Sequence, residues 1–358
     1  LYIKFIMKNL LSIVIPTKNR YEQLETSLSF LLNTDYIKST HIIIFDNSDL
    51  DYQMLKESKK IFSRITNFSG KLNLEIIQEN NLTMTENWEK ALDYSIEFFE
   101  YSMLIEDKQI LKKNTLAKIF ELIKKSKPEI ILYKTSSIVN QGSNYLLVDN
   151  SKFNEDNMPA FYQKKYAHFE YYNKVAVDLF FKSKNYFEMM FLPRCLNTVI
   201  KNVLLSNLKN NSLPRGKILK SFPYPDFALS FNLYKLNPKI FFINDCLSVF
   251  FAKKISTHTF SKSYGLKSFL LNSEYKFFYV IFDYCNEDII LKNIYNLPYL
   301  ITLMQFQYFQ KSNGLKIIKP SFLWLKNDIM NTISGGGSSL KIFYSLWFGG
   351  VNKSSYQF

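Results

Sequence analysis

Short, mostly apolar segments alternate with longer stretches of helical periodicity over the first 135 residues, and this alternation restricts the fold more than any other feature. Apolar runs of four or five residues are typical of parallel strands that a sheet buries on both faces. The predicted strands are LSIVI (11–15), HIIIF (41–45), LEII (74–77), YSMLI (101–105) and EIILY (129–133). The pattern therefore predicts a doubly wound α/β fold.

The stretches between these strands have the spacing of amphipathic helices. Leu24, Leu28 and Leu31 follow the first strand at intervals of three or four residues. Thr83 and Glu86 have the spacing of a capping box and predict the start of a further helix.

Polar residues follow three of the predicted strands, where a doubly wound fold binds its ligands. They read IPTKNR (15–20), FDNSD (45–49) and IEDK (105–108). Mg²⁺ or Mn²⁺ held by one or two carboxylates would neutralise the negative charge of a diphosphate. The strand ends thus predict a site for a nucleotide and a metal ion.

Four segments, in this order and spacing, resemble the successive blocks of the family 2 glycosyltransferases. They are SIVIPTKNRYEQLETSLSFLL, IIIFDNSDLD, NWEKAL and MLIEDKQIL, within residues 11–135, and a looser resemblance reaches residue 260. The resemblance implies the GT-A fold, a Rossmann-like fold of nucleotide-diphospho-sugar transferases. It also implies an inverting hexosyltransferase-like enzyme that moves a sugar from a nucleotide-sugar donor to a surface-glycan acceptor. The expected donor is a UDP-sugar. A capsular or lipooligosaccharide chain, free or lipid-linked, is the expected acceptor.

The resemblance assigns donor-binding roles to the first two strand ends. Pro16, Thr17 and Arg20 match the first-strand loop at the nucleotide pocket. Asp46 matches the acidic residue that accepts a hydrogen bond from uracil in members that use UDP-sugars, and Asn47 lies beside it. From the residues alone, Thr17 could instead cap a helix and Asp46 could form a turn.

The third strand end departs from the family pattern. Asp107 matches the metal ligand of the DXD-like motif, for Mn²⁺ or Mg²⁺, and Glu106 precedes it as a predicted donor-binding residue. Where members commonly have a run of aspartates, this chain has Lys108. Lys108 could neutralise the diphosphate, which leaves metal dependence open, or it could mark a catalytically inactive relative that binds nucleotide or glycan.

Two residues further along the chain complete the predicted site. Asp226, in YPDFALSF, resembles the carboxylate that removes the acceptor proton, although an aspartate there also suits a helix N-cap. His258 lies in a block where Lys253, Lys254 or the histidine itself could reach the diphosphate.

The predicted organisation is a glycosyltransferase domain over residues 7–261, with Met7 as the predicted native start, and a mainly helical C-terminal region over 262–358. The domain divides into a nucleotide-binding half, 7–135, and an acceptor half, 136–261. In the acceptor half we predict a helix from Tyr166 to Met190, a helix that starts at Asp226 and a strand KIFFINDCLSVFF.

Charge and composition narrow the choice of partners. The formal charge of +14 favours anionic partners such as membrane surfaces or phosphorylated substrates. No motif for nucleic-acid recognition accompanies it, so no nucleic-acid partner is expected. There is no apolar run of about 18 residues, and the three cysteines form no CxxC motif. We therefore expect a cytoplasmic protein, with peripheral contact to the inner membrane face left open.

One further enzyme class shares the α/β pattern. A nucleotidyltransferase that makes sugar nucleotides should have a glycine-rich, arginine-containing loop after the first strand. IPTKNR contains no glycine, so this class ranks below a glycosyltransferase.

Overall fold

The computed structural model describes residues 9–141, 144–148, 168–182, 191–211, 218–219, 225–252, 306–307, 310 and 313–320. Within these residues, ten strands form one mixed sheet. The strands are β1 (Asn9–Thr17), β2 (His41–Asp46), β3 (Asn73–Gln78), β4 (Phe99–Leu104), β5 (Gln109–Leu111), β6 (Ile130–Gln141), β7 (Asn144–Val148), β8 (His168–Tyr172), β9 (Thr198–Lys201) and β10 (Lys239–Ala252). The α-helices are α1 (Tyr21–Leu31), α2 (Leu50–Met54), α3 (Lys56–Thr66), α4 (Met84–Phe98), α5 (Thr115–Ser126), α6 (Asn173–Lys182), α7 (Asn202–Asn211) and α8 (Pro225–Leu236).

The first four strands form the predicted parallel part of the sheet, in the order β3-β2-β1-β4. All are paired in parallel, and the register places Thr17 opposite Asp46 and Asp46 opposite Gln78. The carboxyl ends of β1 and β2 therefore lie side by side, which brings the IPTKNR and FDNSD loops together.

Burial on both faces explains the apolar run of β1. Ile13 and Ile15 share one buried cluster with Leu24 and Leu28 of α1. Val14 points the other way and packs in a second cluster with Ala91 of α4. Because successive side chains of a strand alternate between faces, a strand covered by helices on both sides needs apolar residues throughout.

The remaining strands make the sheet mixed rather than wholly parallel. The predicted strand EIILY begins β6, but β9 lies between β4 and β6 and runs antiparallel to both. β10 pairs in parallel with β6 and antiparallel with β5 and β8. Strand order was thus decided by pairings between residues far apart in sequence.

The predicted helix from Tyr166 to Met190 is wrong in its first part. Residues 168–172 form the strand β8, and α6 begins only at Asn173. β8 pairs with β10, and the Phe169 ring packs against Phe242 with 4.9 Å between the ring centroids. Aromatic residues favour strands when a neighbouring strand is available to pair with, so the tertiary partner overrode the helical spacing.

Three other predictions of secondary structure are confirmed. Thr83 and Glu86 form the capping box, with Thr83 Oγ1 accepting from the Glu86 N–H at 3.2 Å. α8 begins one residue before Asp226, and β10 covers the segment KIFFINDCLSVFF.

Of the predicted C-terminal helical region, all but residues 306–307, 310 and 313–320 lie outside the described residues. The described helices include none with the length and apolar character needed to span a bilayer.

Candidate functional site

The loops after β1 and β2 are joined by their side chains. Asn19 adopts a positive φ of 56°, a conformation that asparagine tolerates better than most residues. Its Nδ2 donates to Asp49 Oδ2 at 2.7 Å, and its Oδ1 accepts from the Asp49 N–H at 2.9 Å. The Asn19 N–H also donates to Ser48 Oγ at 2.9 Å. These bonds fix the start of α1, and with it the backbone of Arg20, relative to the end of β2.

Asp46 is fully buried at the end of β2, and both of its oxygens accept a hydrogen bond. The Tyr21 hydroxyl donates to Oδ2 at 2.6 Å, and the Ser48 N–H donates to Oδ1 at 3.0 Å. Burial, reinforced by the Asp46 carboxylate, raises the pKa of Tyr21 above its ordinary value, so Tyr21 remains a proton donor. A ligand N–H would have to use a second lone pair of an Asp46 oxygen or displace one of these donors.

Asp107 brings the ends of β1 and β4 together. Its Oδ2 accepts from the Thr17 hydroxyl at 2.8 Å, and its Oδ1 lies 3.1 Å from Arg20 Nη1. Only 2% of Asp107 is exposed. Burial raises the pKa of Asp107 from its ordinary value, while the Arg20 charge and the Thr17 hydroxyl oppose the rise. The two donors therefore stabilise the ionised form of a carboxylate that is shielded from water.

The turn that contains Asp107 has its backbone held from three directions. The Ser27 hydroxyl of α1 donates to the Asp107 carbonyl at 2.8 Å, and the Phe251 N–H of β10 donates to the Lys108 carbonyl at 3.0 Å. The buried Gln109 side chain accepts from the Glu106 N–H at 3.2 Å and is itself anchored by donating to the Leu196 carbonyl at 2.8 Å. The position of the turn is thus fixed by the helices and strands around it.

Glu106 and Lys108 flank Asp107 and form an ion pair. Lys108 Nζ lies 3.0 Å from Glu106 Oε2, and about a fifth of each side chain is exposed. Although the two atoms are close, Glu106 Oε2 accepts no aligned hydrogen bond in the described structure. The contact is therefore mainly Coulombic and leaves the ammonium donors of Lys108 able to point elsewhere.

The other predicted residues of the first two loops have clear structural roles. Pro16 is buried near the end of β1, and its missing N–H ends the ladder between β1 and β4 after the Ile105 N–H donates to the Val14 carbonyl at 3.0 Å. Asn47 exchanges two hydrogen bonds with the Leu82 backbone, at 2.7 and 3.0 Å. Asn47 thus holds the segment before α4 rather than pointing an uncommitted amide at a ligand.

Four residues with predicted roles have side chains outside the described part of the structure. Asp226 is the second residue of α8, and its side chain is outside the described part of the structure. His258, Lys253 and Lys254 lie outside the described residues. Their roles stay predictions.

Sequence reasoning missed the roles of three buried residues, of which the first two lie at the site. Tyr21 donates to Asp46, and Asn87 of α4 donates from Nδ2 to the Thr17 and Phe45 carbonyls at 3.4 and 3.3 Å. Glu89 is buried and accepts from the Ile218 and Leu219 N–H groups at 2.7 and 2.6 Å. The polar residues Asn87 and Glu89 on either side of Trp88 were the available signal, because polar residues beside an apolar stripe of a helix covered by a sheet need partners.

The residues at the strand ends do not fit a divalent cation in this arrangement. Both Asp107 oxygens have donors, and one of these donors is the Arg20 guanidinium. Glu106 faces the Lys108 ammonium. Among the residues that the structure describes, no three Asp, Glu, His or Cys side chains lie together as a metal site. Positive side chains thus contact Asp107, the predicted metal ligand, and Glu106, a predicted donor-binding residue.

No protein-family model matches the sequence, and no curated protein matches it. Solved structures do resemble the chain. GalNAc-T7 with UDP, GalNAc and Mn²⁺ is 13% identical, with 91% of this chain and 58% of that chain covered at a TM-score of 0.50. The sheet order, the covered parallel strands and this likeness agree on the architecture. The chain has the GT-A fold.

Two further glycosyltransferase structures resemble this GT-A chain at lower TM-scores. S. aureus TarS 1–349 in complex with UDP-GlcNAc is 14% identical, with 93% of this chain and 81% of that chain covered at a TM-score of 0.49. The mannosyltransferase PcManGT from Pyrobaculum calidifontis, with GDP-Man and Mn²⁺, is 13% identical, with 95% and 87% covered at 0.46. At these TM-scores and identities, neither likeness carries a conclusion about the substrate or mechanism of this chain.

Proposed function

We propose that this protein is an inverting glycosyltransferase that moves a sugar from a nucleotide-sugar donor to a glycan acceptor. One observation carries the proposal: Thr17 and Arg20 meet Asp107 at the carboxyl edge of β1 and β4, 90 and 87 residues apart in sequence. In an open α/β sheet this edge is where ligands bind. The structural neighbours with bound UDP, UDP-GlcNAc and GDP-Man support a donor of the nucleotide-sugar class.

Asp46 and its surroundings suit the base of the donor. In the proposed complex, the N3–H of uracil donates to a free lone pair of Asp46, whose two present donors hold the carboxylate in one orientation. This bond favours UDP over CDP, because cytosine has no N3–H to offer, whereas thymine presents the same donor as uracil.

The transfer requires only one proton acceptor. The acceptor hydroxyl oxygen forms a bond to the anomeric carbon as the bond from that carbon to the diphosphate oxygen breaks. The hydroxyl proton passes to the proposed base Asp226, and the electron pair of the broken bond leaves on the nucleoside diphosphate. Attack opposite the leaving group inverts the anomeric centre.

The acceptor side of the proposal rests on resemblance and charge. A surface glycan under assembly, of the capsular or lipooligosaccharide kind, is the proposed acceptor, with the reaction at the cytoplasmic side of the membrane. The formal charge of +14 supports contact with an anionic lipid surface or a lipid-linked acceptor.

Nucleotide binding tests the proposal most directly. We measure the thermal midpoint with UDP, GDP, CDP, ADP and dTDP in turn. We expect UDP to raise it most. Arg20→Ala should remove most of this shift. The matched control is Arg64→Ala, which removes a second arginine–carboxylate pair, to Glu25 at 2.5 Å, that joins α1 and α3. A flat panel on the folded wild-type protein would refute nucleotide-sugar chemistry.

Turnover separates the enzyme from the alternative, a catalytically inactive relative that binds nucleotide or glycan. The observation favouring this alternative is that both carboxylates of the IEDK turn already contact cations. Release of UDP from a UDP-sugar, slowed in Asp226→Asn at unchanged UDP affinity, would support the enzyme. Tight UDP binding without release from a panel of UDP-hexoses would support the inactive relative.

A further inference from the structure

Arg20 and Lys108 supply two positive charges at the place where the sequence predicts a divalent cation. Arg20 lies 3.1 Å from Asp107, and Lys108 lies 3.0 Å from Glu106. Two carboxylates with two such cations have the same formal charge as two carboxylates with one divalent ion. A diphosphate would therefore meet an edge of similar net charge in either arrangement.

The geometry also makes it costly for a metal ion to take the place of the present partners of Asp107. A cation bound directly to Asp107 would have to share an oxygen that already accepts from Arg20 or Thr17, or displace one of these donors, at a carboxylate that is 2% exposed. Ser27, Gln109 and Phe251 hold the backbone of the turn, so the turn cannot move aside as a free loop would. A displaced guanidinium would also be left beside the incoming ion, and like charges at short range repel strongly where water is scarce.

Lys108 is instead placed to donate hydrogen bonds to a phosphate. Its Nζ forms no aligned hydrogen bond to Glu106 Oε2, and about a fifth of its side chain is exposed. An ammonium group has three donors, so one can remain near Glu106 while others turn to phosphate oxygens. Arg20 is similarly exposed, at 22%, and guanidinium has donors beyond the one used by Asp107.

We propose that Arg20 and Lys108 bind the diphosphate of the donor in place of a divalent cation, so that the protein binds nucleoside diphosphates without metal. The inference rests on the proposed function. As the bond between sugar and diphosphate breaks, the electron pair moves to the leaving phosphate oxygen, and these two side chains stabilise the charge that develops there. Asp107 and Glu106 hold the two cations in position.

The experiment is calorimetric titration of UDP and GDP into the full chain, once with EDTA and once with Mn²⁺. We expect the wild-type dissociation constant to differ by less than about threefold between the two buffers. Lys108→Gln should weaken binding by about tenfold in both buffers, because one charge-assisted hydrogen bond is lost. Lys113→Gln, which removes an exposed lysine five residues further along the chain, is the matched control and should bind as wild type does.

A second variant tests the same idea in the opposite direction. Lys108→Asp restores an acidic residue and should make nucleotide binding dependent on Mn²⁺, with affinity in EDTA at least about tenfold below affinity with Mn²⁺. A wild-type protein that binds UDP or GDP only with Mn²⁺ would overturn the inference and leave the proposed function intact. No binding of UDP, GDP, CDP, ADP or dTDP in either buffer would overturn both.

Discussion

The polar side chains of the two halves of the described structure make different kinds of bonds. In the first region (residues 9–126), Thr17 and Arg20 bond to the side chain of Asp107, and Tyr21 bonds to that of Asp46. In the second region (168–182, 191–211, 218–219 and 225–252), the polar side chains largely hold the backbone. Tyr171, Asn173 and Ser230 donate there to the Phe191, Ser230 and Pro193 carbonyls at 2.6, 2.8 and 2.9 Å.

This difference indicates which region binds a ligand. A carboxylate, hydroxyl or guanidinium paired with another side chain can exchange one partner for a ligand while the backbone stays in place. A side chain that satisfies a buried carbonyl cannot leave without exposing an unpaired polar group. This difference supports the proposal that the donor site lies in the first region and that the core of the second region has a supporting role.

The largest expected effect comes from the aromatic core of the second region. Phe231 is fully buried, with ring centroids 4.6 Å from Phe306 and 6.0 Å from Phe181. Phe231→Ala should lower the free energy of unfolding by about 4 kcal/mol, because it leaves a cavity. UDP affinity of the folded protein should stay within about twofold of wild type. Urea denaturation and calorimetry measure the two quantities, with Phe231→Leu, which fills most of the cavity, as the control. A large loss of UDP affinity in folded Phe231→Ala would contradict the roles proposed for the two regions.

The next effect concerns Glu89, one of the side chains that join the two regions. Glu89 of α4 is 2% exposed and accepts from the backbone N–H groups of Ile218 and Leu219. Glu89→Ala should cost about 3 kcal/mol, because two buried donors lose their partner. Asp93→Ala, one turn further along the same helix, removes an ion pair to Lys209 and should cost less than about 1 kcal/mol. Equal losses in urea denaturation would mean that Glu89 does not secure the second region.

A smaller effect is expected at the exchangeable pairs of the first region. Asp107→Ala should lower the free energy of unfolding by about 2 kcal/mol, less than for a fully buried pair, since water can still reach Arg20. Glu79→Ala, which removes a surface ion pair with Lys90, should cost about 0.5 kcal/mol. Urea denaturation measures both, and an unchanged Asp107→Ala protein would show that the Thr17 and Arg20 contacts contribute little to folding.

The smallest effect separates two buried tyrosines of the first region. The Tyr101 hydroxyl is buried without a hydrogen-bond partner among the described residues, whereas the Tyr21 hydroxyl donates to Asp46. Tyr101→Phe should raise the free energy of unfolding by up to about 1 kcal/mol, and Tyr21→Phe should lower it by about 1 kcal/mol. A change in the free energy of unfolding of the same sign in both variants would contradict this difference between the two hydroxyls.

Alkaline pH gives a second measurement on Tyr101. Burial raises the pKa of Tyr101 to about 12 in the folded protein, against about 10 in an unfolded chain. The unfolded state therefore loses this proton first, and stability present below pH 10 falls as the pH rises from 10 to 12. Urea midpoints should fall less steeply over this range in Tyr101→Phe than in wild type.

Much of the first region followed from local sequence alone. Segments such as LSIVI and YSMLI predicted strands because a strand covered on both faces needs apolar residues at every position. The carboxyl ends of those strands then predicted where Thr17, Arg20, Asp46 and Asp107 would gather. Their actual partners were not predictable, because Tyr21 had the spacing of a core residue and nothing local linked it to Asp46.

The second region was less predictable. HFEYY lies within helical periodicity but forms β8, because β10 offers a strand to pair with. β9 is only four residues long, and its place between β4 and β6 depends on both neighbours at once. Short strands carry little local signal, so their positions are set by pairing.

The sequence by itself determined the α/β class, the first four parallel strands and the polar residues at their ends, because burial on two faces and the carboxyl-edge rule act locally. Only the tertiary structure decided how those residues are paired. Arg20 reaches Asp107 across 87 residues, and Lys108 faces Glu106 rather than open solvent. Charge partners at a strand edge depend on which side chains the folded sheet brings within a few ångströms, and sequence spacing does not contain that distance.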